Sequence, residues 1–281
     1  MTEDGRSPAS EYFMVRNPFT ARLVALVFAL LFAAPAVAGP LEDTVAAYGR
    51  GDYAAALALG RPLAEQGDAS AQAMLGLMYA LGRGVPQDFA AALTWYRKAA
   101  DKGLPSAQSD VASMYDQGFG VKQDYAAALA WYRKAADQGF AGAEYNLGLM
   151  YANGKGVTKD IRAAVTWLRK AADHGDATAQ FTLGDMYGNG EGVPQDFTAA
   201  VSWYRAAAER GYADAQYNLG LMYRNGKGVP QDYVMADMWF NLAATGNQDA
   251  LQDRELVERL MTPAQIAEAQ KLVRDWKPRP D

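Results

Sequence analysis

The sequence predicts an all-α fold, a solenoid of 36-residue helix-turn-helix repeats, and three observations carry that expectation. Trp95, Trp131, Trp167, Trp203 and Trp239 fall at an unbroken interval of 36 residues, the self-similarity that marks a repeat architecture. The same interval carries Met78, Met114, Met150, Met186 and Met222, each followed by tyrosine, and also Gly82, Gly118, Gly154, Gly190 and Gly226. Within one period, Phe89, Ala92, Leu93, Tyr96, Ala99 and Ala100 recur at spacings of three and four, which describes one face of a helix and not a strand alternation.

Taken in chain order, residues 1–38 read as a signal peptide. Arg16 and Arg22 precede the apolar run Leu23 to Phe32, and Ala36-Val37-Ala38 offers small residues before a cleavage point at Ala38/Gly39. Translation starting at Met14 and an uncleaved inner-membrane anchor are the competing readings. Residues 39–67 repeat the register of Gln87 to Leu93 at Gly51 to Leu57 and form a shortened N-terminal capping hairpin. Residues 68–246 hold five full units. In each, a first helix such as Asp68 to Ala80 ends at a glycine pair, Gly82 and Gly84, where positive φ costs glycine nothing. A second helix follows, with Asp88 as N-cap, Lys98 in its last turn and Gly103 as its left-handed stop. Asp124, Asp160, Asp196 and Asp232 repeat that cap, and Asn153, Asn189 and Asn225 end the first helices. After Ala244 the period breaks. Residues 247–281 are C-terminal capping helices, the last opened by the capping box Thr262-Pro263-Ala264-Gln265 and made one-sided by Ile266, Ala269, Val273 and Trp276. Stacked repeats need such atypical ends to seal an open face.

The unit from Asp68 to Gly103 carries the patterns A-x-x-x-L-G-x-M-Y-x-x-G-x-G-V and D-x-x-x-A-x-x-W-Y-x-x-A-A. These resemble the Sel-one-like repeat family, a relative of the tetratricopeptide repeats, over Tyr48 to Ala244. The resemblance implies a right-handed α/α superhelical solenoid and adaptor or regulatory roles, including control of envelope sensor proteins or contact with host factors. Two positions depart from the pattern. Ala112 stands where other units have Gly76, Gly148, Gly184 and Gly220, and Asp237 stands where leucine or valine is expected.

Composition narrows the chemistry. The chain has 281 residues, half of them apolar and 21% charged, enough for a sizeable core. Its net charge is −5, with no basic excess to neutralise phosphates, so nucleic acid is not expected as a partner. It contains no cysteine and one histidine, His174, which excludes disulfides, thiolate nucleophiles and multi-histidine metal sites. Neither a cofactor nor lipid binding after signal removal is expected. The repeated G-x-G-V lacks the third glycine of a dinucleotide fingerprint and reads as a loop. Some family relatives are associated with β-lactam binding or hydrolysis, yet no S-x-x-K occurs in this chain. The Trp, Tyr and Met columns read as core, the Asp column as helix caps, and His174 as a helix-end residue without a catalytic role.

If the arrangement is that of the tetratricopeptide repeats, first helices line a concave groove. Tyr145, Phe181 and Tyr217 then share one groove column, flanked by Leu149, Asp185, Leu221 and Arg224, a surface suited to an extended or helical peptide. The competing reading packs these rings between helices. The function expected is a periplasmic or secreted, non-enzymatic protein-interaction scaffold with a protein or peptide partner. The alternatives are a cell-envelope hydrolase acting on peptidoglycan or a β-lactam, and self-association.

Overall fold

The structure, a computed structural model, describes residues 39–279. The expected leader, its cleavage point and the alternative start at Met14 lie outside the described residues. Among the described residues there are 14 α-helices and no strands, so the fold is all-α, built of helical repeats. The chain divides after Leu104 into two compact units.

The first unit holds α1 (Pro40–Gly49), α2 (Tyr53–Gln66), α3 (Ala69–Leu81) and α4 (Phe89–Asp101). Proline opens α1, and Asp52, Asp68 and Asp88 cap α2, α3 and α4 by accepting backbone N–H groups at the helix starts. Helices α3 and α4 pack closely because Gly76 lies against Tyr96, where a Cβ would sit 2.7 Å from the ring.

The second unit holds α5 (Pro105–Gln117), α6 (Tyr125–Ala136), α7 (Ala141–Asn153), α8 (Ile161–Asp173), α9 (Ala177–Asn189), α10 (Phe197–Glu209), α11 (Ala213–Asn225), α12 (Tyr233–Ala243), α13 (Asp249–Glu258) and α14 (Pro263–Asp275). Each of α7, α9 and α11 packs on the second helix of its own hairpin and on that of the hairpin before it. The expected caps are present. Asp124, Asp160, Asp196 and Asp232 accept from the first-turn amides of α6, α8, α10 and α12. Gly154, Gly190 and Gly226 end α7, α9 and α11 at φ near +70°, the conformation that L side chains avoid.

The tryptophan column corrects the sequence reading. Trp95, Trp131, Trp167 and Trp203 are only half-buried, and the tyrosines that follow the methionines, Tyr79 to Tyr223, are half-buried too. The buried ring is instead the residue after each tryptophan: Tyr96, Tyr132 and Tyr204, with Leu168 and Phe240 in two repeats. An indole is long and carries an N–H that favours a wet edge. At that edge Lys98, Lys134 and Lys170 lie over Trp95, Trp131 and Trp167 at 4.0, 3.9 and 4.2 Å from ring centres. Trp239 differs and is buried, packed in a cluster with Leu272, Val273 and Trp276 around α14. The methionines follow the core reading at Met78, Met114, Met150 and Met186, while Met222 is half-buried.

Beyond α12 the repeat register persists one helix further. Asp249 lies 36 residues after Ala213, and α13 packs on α12 as earlier first helices pack on the second helix before them. Helix α14, with its capping box at Thr262 and Gln265, packs on α12. Arg279 then pairs with Glu209 at 2.9 Å.

Candidate partner-binding face

First helices in the second unit turn one side to the core. Leu147, Leu183 and Leu219 are fully buried, and Gly148, Gly184 and Gly220 bring the backbone against Leu168, Tyr204 and Phe240. Two further columns recur at the 36-residue interval: Asp110, Asn146, Thr182 and Asn218, then Ser113, Leu149, Asp185 and Leu221. All eight are half-buried. They change in polarity and charge along the chain, while the columns of Leu147 and Gly148 stay apolar and small.

The three aromatic residues of the expected groove are packed instead of standing free. Tyr145 is only 8% exposed and belongs to the cluster of Val165, Leu168 and Leu183. Phe181 rests against Tyr204 and Tyr212, at 5.9 and 5.2 Å between ring centres. Tyr217 lies 5.7 Å from Phe240 and donates its hydroxyl to Asp253 at 2.9 Å. Burial, together with the Asp253 carboxylate, pushes the Tyr217 phenol up to about 12. The reason is helix spacing: glycines bring paired helices so close that a ring three residues, about one turn, before each glycine wedges between neighbours.

The flanking residues separate into two groups. Leu149 packs at the edge of the Tyr145 cluster. Asp185 accepts the Tyr204 hydroxyl at 2.6 Å and the Asn218 amide at 3.3 Å. Burial pushes its carboxyl up to about 6, with Asp214 and Glu191 adding to the effect and the Tyr204 hydrogen bond opposing it. At the other end, α13 engages Tyr217, Leu221 and Arg224. Leu221 packs near Ala250 and Val257, and Arg224 forms an ion pair with Asp253. The structure therefore joins Tyr217, Leu221 and Arg224 to α13 and leaves Leu149 and Asp185 on the face between.

A buried column escaped the sequence reading. Gln72, Gln180 and Gln216 donate Nε2 to the carbonyls of Ala64, Ala172 and Ala208 at 2.9, 3.0 and 3.1 Å. Glu144 stands at the same interval, is 2% exposed, and cannot donate when ionised. Its Oε2 instead lies 2.7 Å from His174 Nδ1, just past the end of the second helix of the same hairpin, which gives the one histidine its place at the end of α8. The signal was present in the spacing of residues 72, 108, 144, 180 and 216. No group of three or more histidine, aspartate or glutamate side chains able to hold a metal ion occurs among the described residues.

Helical hairpins of equal length, glycine-spaced inside and variable along one side, define a protein of the tetratricopeptide-like helical repeat class. The chain belongs to the Sel1 repeat family, whose model, described as Sel1 repeat, matches residues 69–104, 105–140, 141–176, 177–212 and 213–247. It is similar to a Sel1 repeat protein from Oxalobacter formigenes, at 38% identity over 79% of this chain and 65% of that one, with a TM-score of 0.72. The chain thus spans 65% of that relative's length. It is also similar to a protective antigen present in uropathogenic Escherichia coli strains, at 31% identity over 84% of this chain and 68% of that one, TM-score 0.41. An immunity protein from Pseudomonas aeruginosa shares the fold at 21% identity, over 82% of each chain, TM-score 0.50. No functionally curated protein matches the chain. Sel1 repeat proteins are in general protein-interaction scaffolds.

Proposed function

We propose that the chain is a non-enzymatic adaptor or regulator of the bacterial cell envelope that binds a partner polypeptide on the first-helix face of its second unit. The observation that carries this reading is the division of labour within each hairpin. Repeating leucines, alanines and glycines build the core, while Asn146, Leu149, Thr182, Asp185 and their column mates stay half-buried and differ from one repeat to the next. Solenoids use such a surface for extended partners. Leu149 supplies an apolar anchor, and Asn146, Thr182 and Asp185 supply orientation. Export to the envelope rests on the N-terminal pattern of Arg22, the run Leu23 to Phe32 and Ala36-Val37-Ala38. No helix of the described residues is long and apolar enough to cross a membrane.

The test is crosslinking in cells with a photoreactive residue placed at Asn146, Leu149 or Thr182, against controls at the exposed second-helix positions Thr166 and Ser202. One polypeptide recovered from the first-helix positions and absent from the controls is the expected result. Recovery from the controls alone, or from none of the five, would refute the assignment. Export is checked separately by the mass of the protein isolated from the periplasm, which begins at Gly39 if the leader is cleaved.

A further inference from the structure

Helix α13 has two unlike sides. Charges on its inner side are satisfied within the chain: Asp253 by Tyr217 and Arg224, and Arg254 by Glu258 at 3.1 Å with Asp237 nearby at 3.7 Å. Its outer side carries Leu251, Glu255, Leu256 and Arg259, continued by Leu260 in the following turn. The three leucines are 48%, 51% and 63% exposed, and only Leu59 joins them as an exposed large apolar residue among those described. Glu255 and Arg259 form no ion pair among the described residues. Concentrated apolar exposure of this kind marks an interaction surface.

The position of α13 in the repeat explains the exposure. It takes the place of a sixth first helix, 36 residues after α11, where every earlier first helix of the second unit is covered by its own second helix. Helix α14 packs instead on α12, with Leu272, Val273 and Trp276 joining the cluster of Ala207 and Trp239. Among the described residues, no second helix therefore covers α13.

We propose that this surface joins two copies of the chain, α13 against α13, about a two-fold axis. The charges select that occupant. In an antiparallel pair, a residue contacting a second residue on the partner receives the reciprocal contact. Glu255 of each copy meets Arg259 of the other, and both pairs form at once. Leu256 and Leu260 flank the charges on one side and Leu251 on the other. A parallel pair would set like charges together. This face is distinct from the proposed partner-binding face, so either proposal can fail without the other.

The experiment is light scattering of the purified full chain across a range of concentrations, with single charge reversals and their mixture. The natural chain is expected to approach the mass of two copies. Glu255→Arg and Arg259→Glu each place like charges opposite one another twice, and each is expected to raise the dissociation constant by about tenfold or more. An equimolar mixture of the two variants restores both opposite-charge contacts and is expected to form the heterodimer. Leu256→Asp is expected to abolish association with thermal unfolding unchanged, since Leu256 is exposed in a single copy. The proposal is overturned if the natural chain keeps the mass of one copy throughout, if association ignores these substitutions, or if the mixture does not associate.

Discussion

Replacing Asp237 by leucine should make the protein more stable, and by an amount that depends on pH. Asp237 holds in α12 the position of Leu93, Leu129, Val165 and Val201 in the preceding second helices. It is fully buried, and neither carboxylate oxygen has a hydrogen-bond partner. Burial, with Glu258 adding and Arg254 opposing, pushes its carboxyl from 3.8 up to about 6. A raised acid binds its proton more tightly in the folded chain, so the penalty is full above about pH 6 and fades as pH falls toward 4. At about 1.36 kcal/mol per pH unit, the penalty near neutrality is about 3 kcal/mol. Asp237→Leu removes it and leaves Arg254 without this partner, which returns about 1 kcal/mol. The expected net gain at about pH 7.5 is about 2 kcal/mol, measured by urea unfolding of both proteins. At about pH 4.5 the natural chain has regained about 2 kcal/mol through protonation, and the gap between the two should nearly close. Asp185 and Asp110, raised by burial to about 6 and about 7, titrate in both proteins and cancel in the difference. A loss of stability on substitution near neutrality, or a gap that does not change with pH, would refute this account.

Gly184→Ala places a Cβ 2.5 Å from the Tyr204 ring. Overpacking of about 1–3 kcal/mol outweighs the gain of about 1 kcal/mol in helix propensity, so thermal unfolding should show a net loss of about 1 kcal/mol. Asp253→Ala removes the acceptor shared by Tyr217 and Arg224; hydrogen exchange in α13 should accelerate by about tenfold while α7 to α10 are unaffected. Thr262→Ala breaks the capping box of α14 and should cost about 1 kcal/mol, seen as earlier exchange of amides 264 to 266.

Much of the fold was legible because each repeat solves the same packing problem with the same residues. The interval of the tryptophans located the hairpins, and Asp124, Asp160, Asp196 and Asp232 located their starts, since a cap works through its own side chain and adjacent amides. What escaped depends on neighbours distant in sequence. Whether a ring is presented or packed turns on the few ångströms between helices, and Tyr145, Phe181 and Tyr217 were drawn inward by contacts with Val165, Tyr204 and Phe240. Periodicity marked the tryptophans as repeating without telling an edge from a centre. The register of α13 was obscured because Asp253 replaces the aromatic of that column, and its meaning emerges only beside Tyr217 and Arg224.

Arg133, Arg169 and Arg205 each reach a tyrosine 18 residues on, Tyr151, Tyr187 and Tyr223, linking one hairpin's second helix to the next hairpin's first. These links are solvent-exposed, so each resists deformation only feebly. A row of equal, feeble ties in series spreads any imposed strain along the row instead of concentrating it at one joint. The second unit should therefore yield to a load as a spring does, by small shares at every hairpin, and recover its pitch when the load is released.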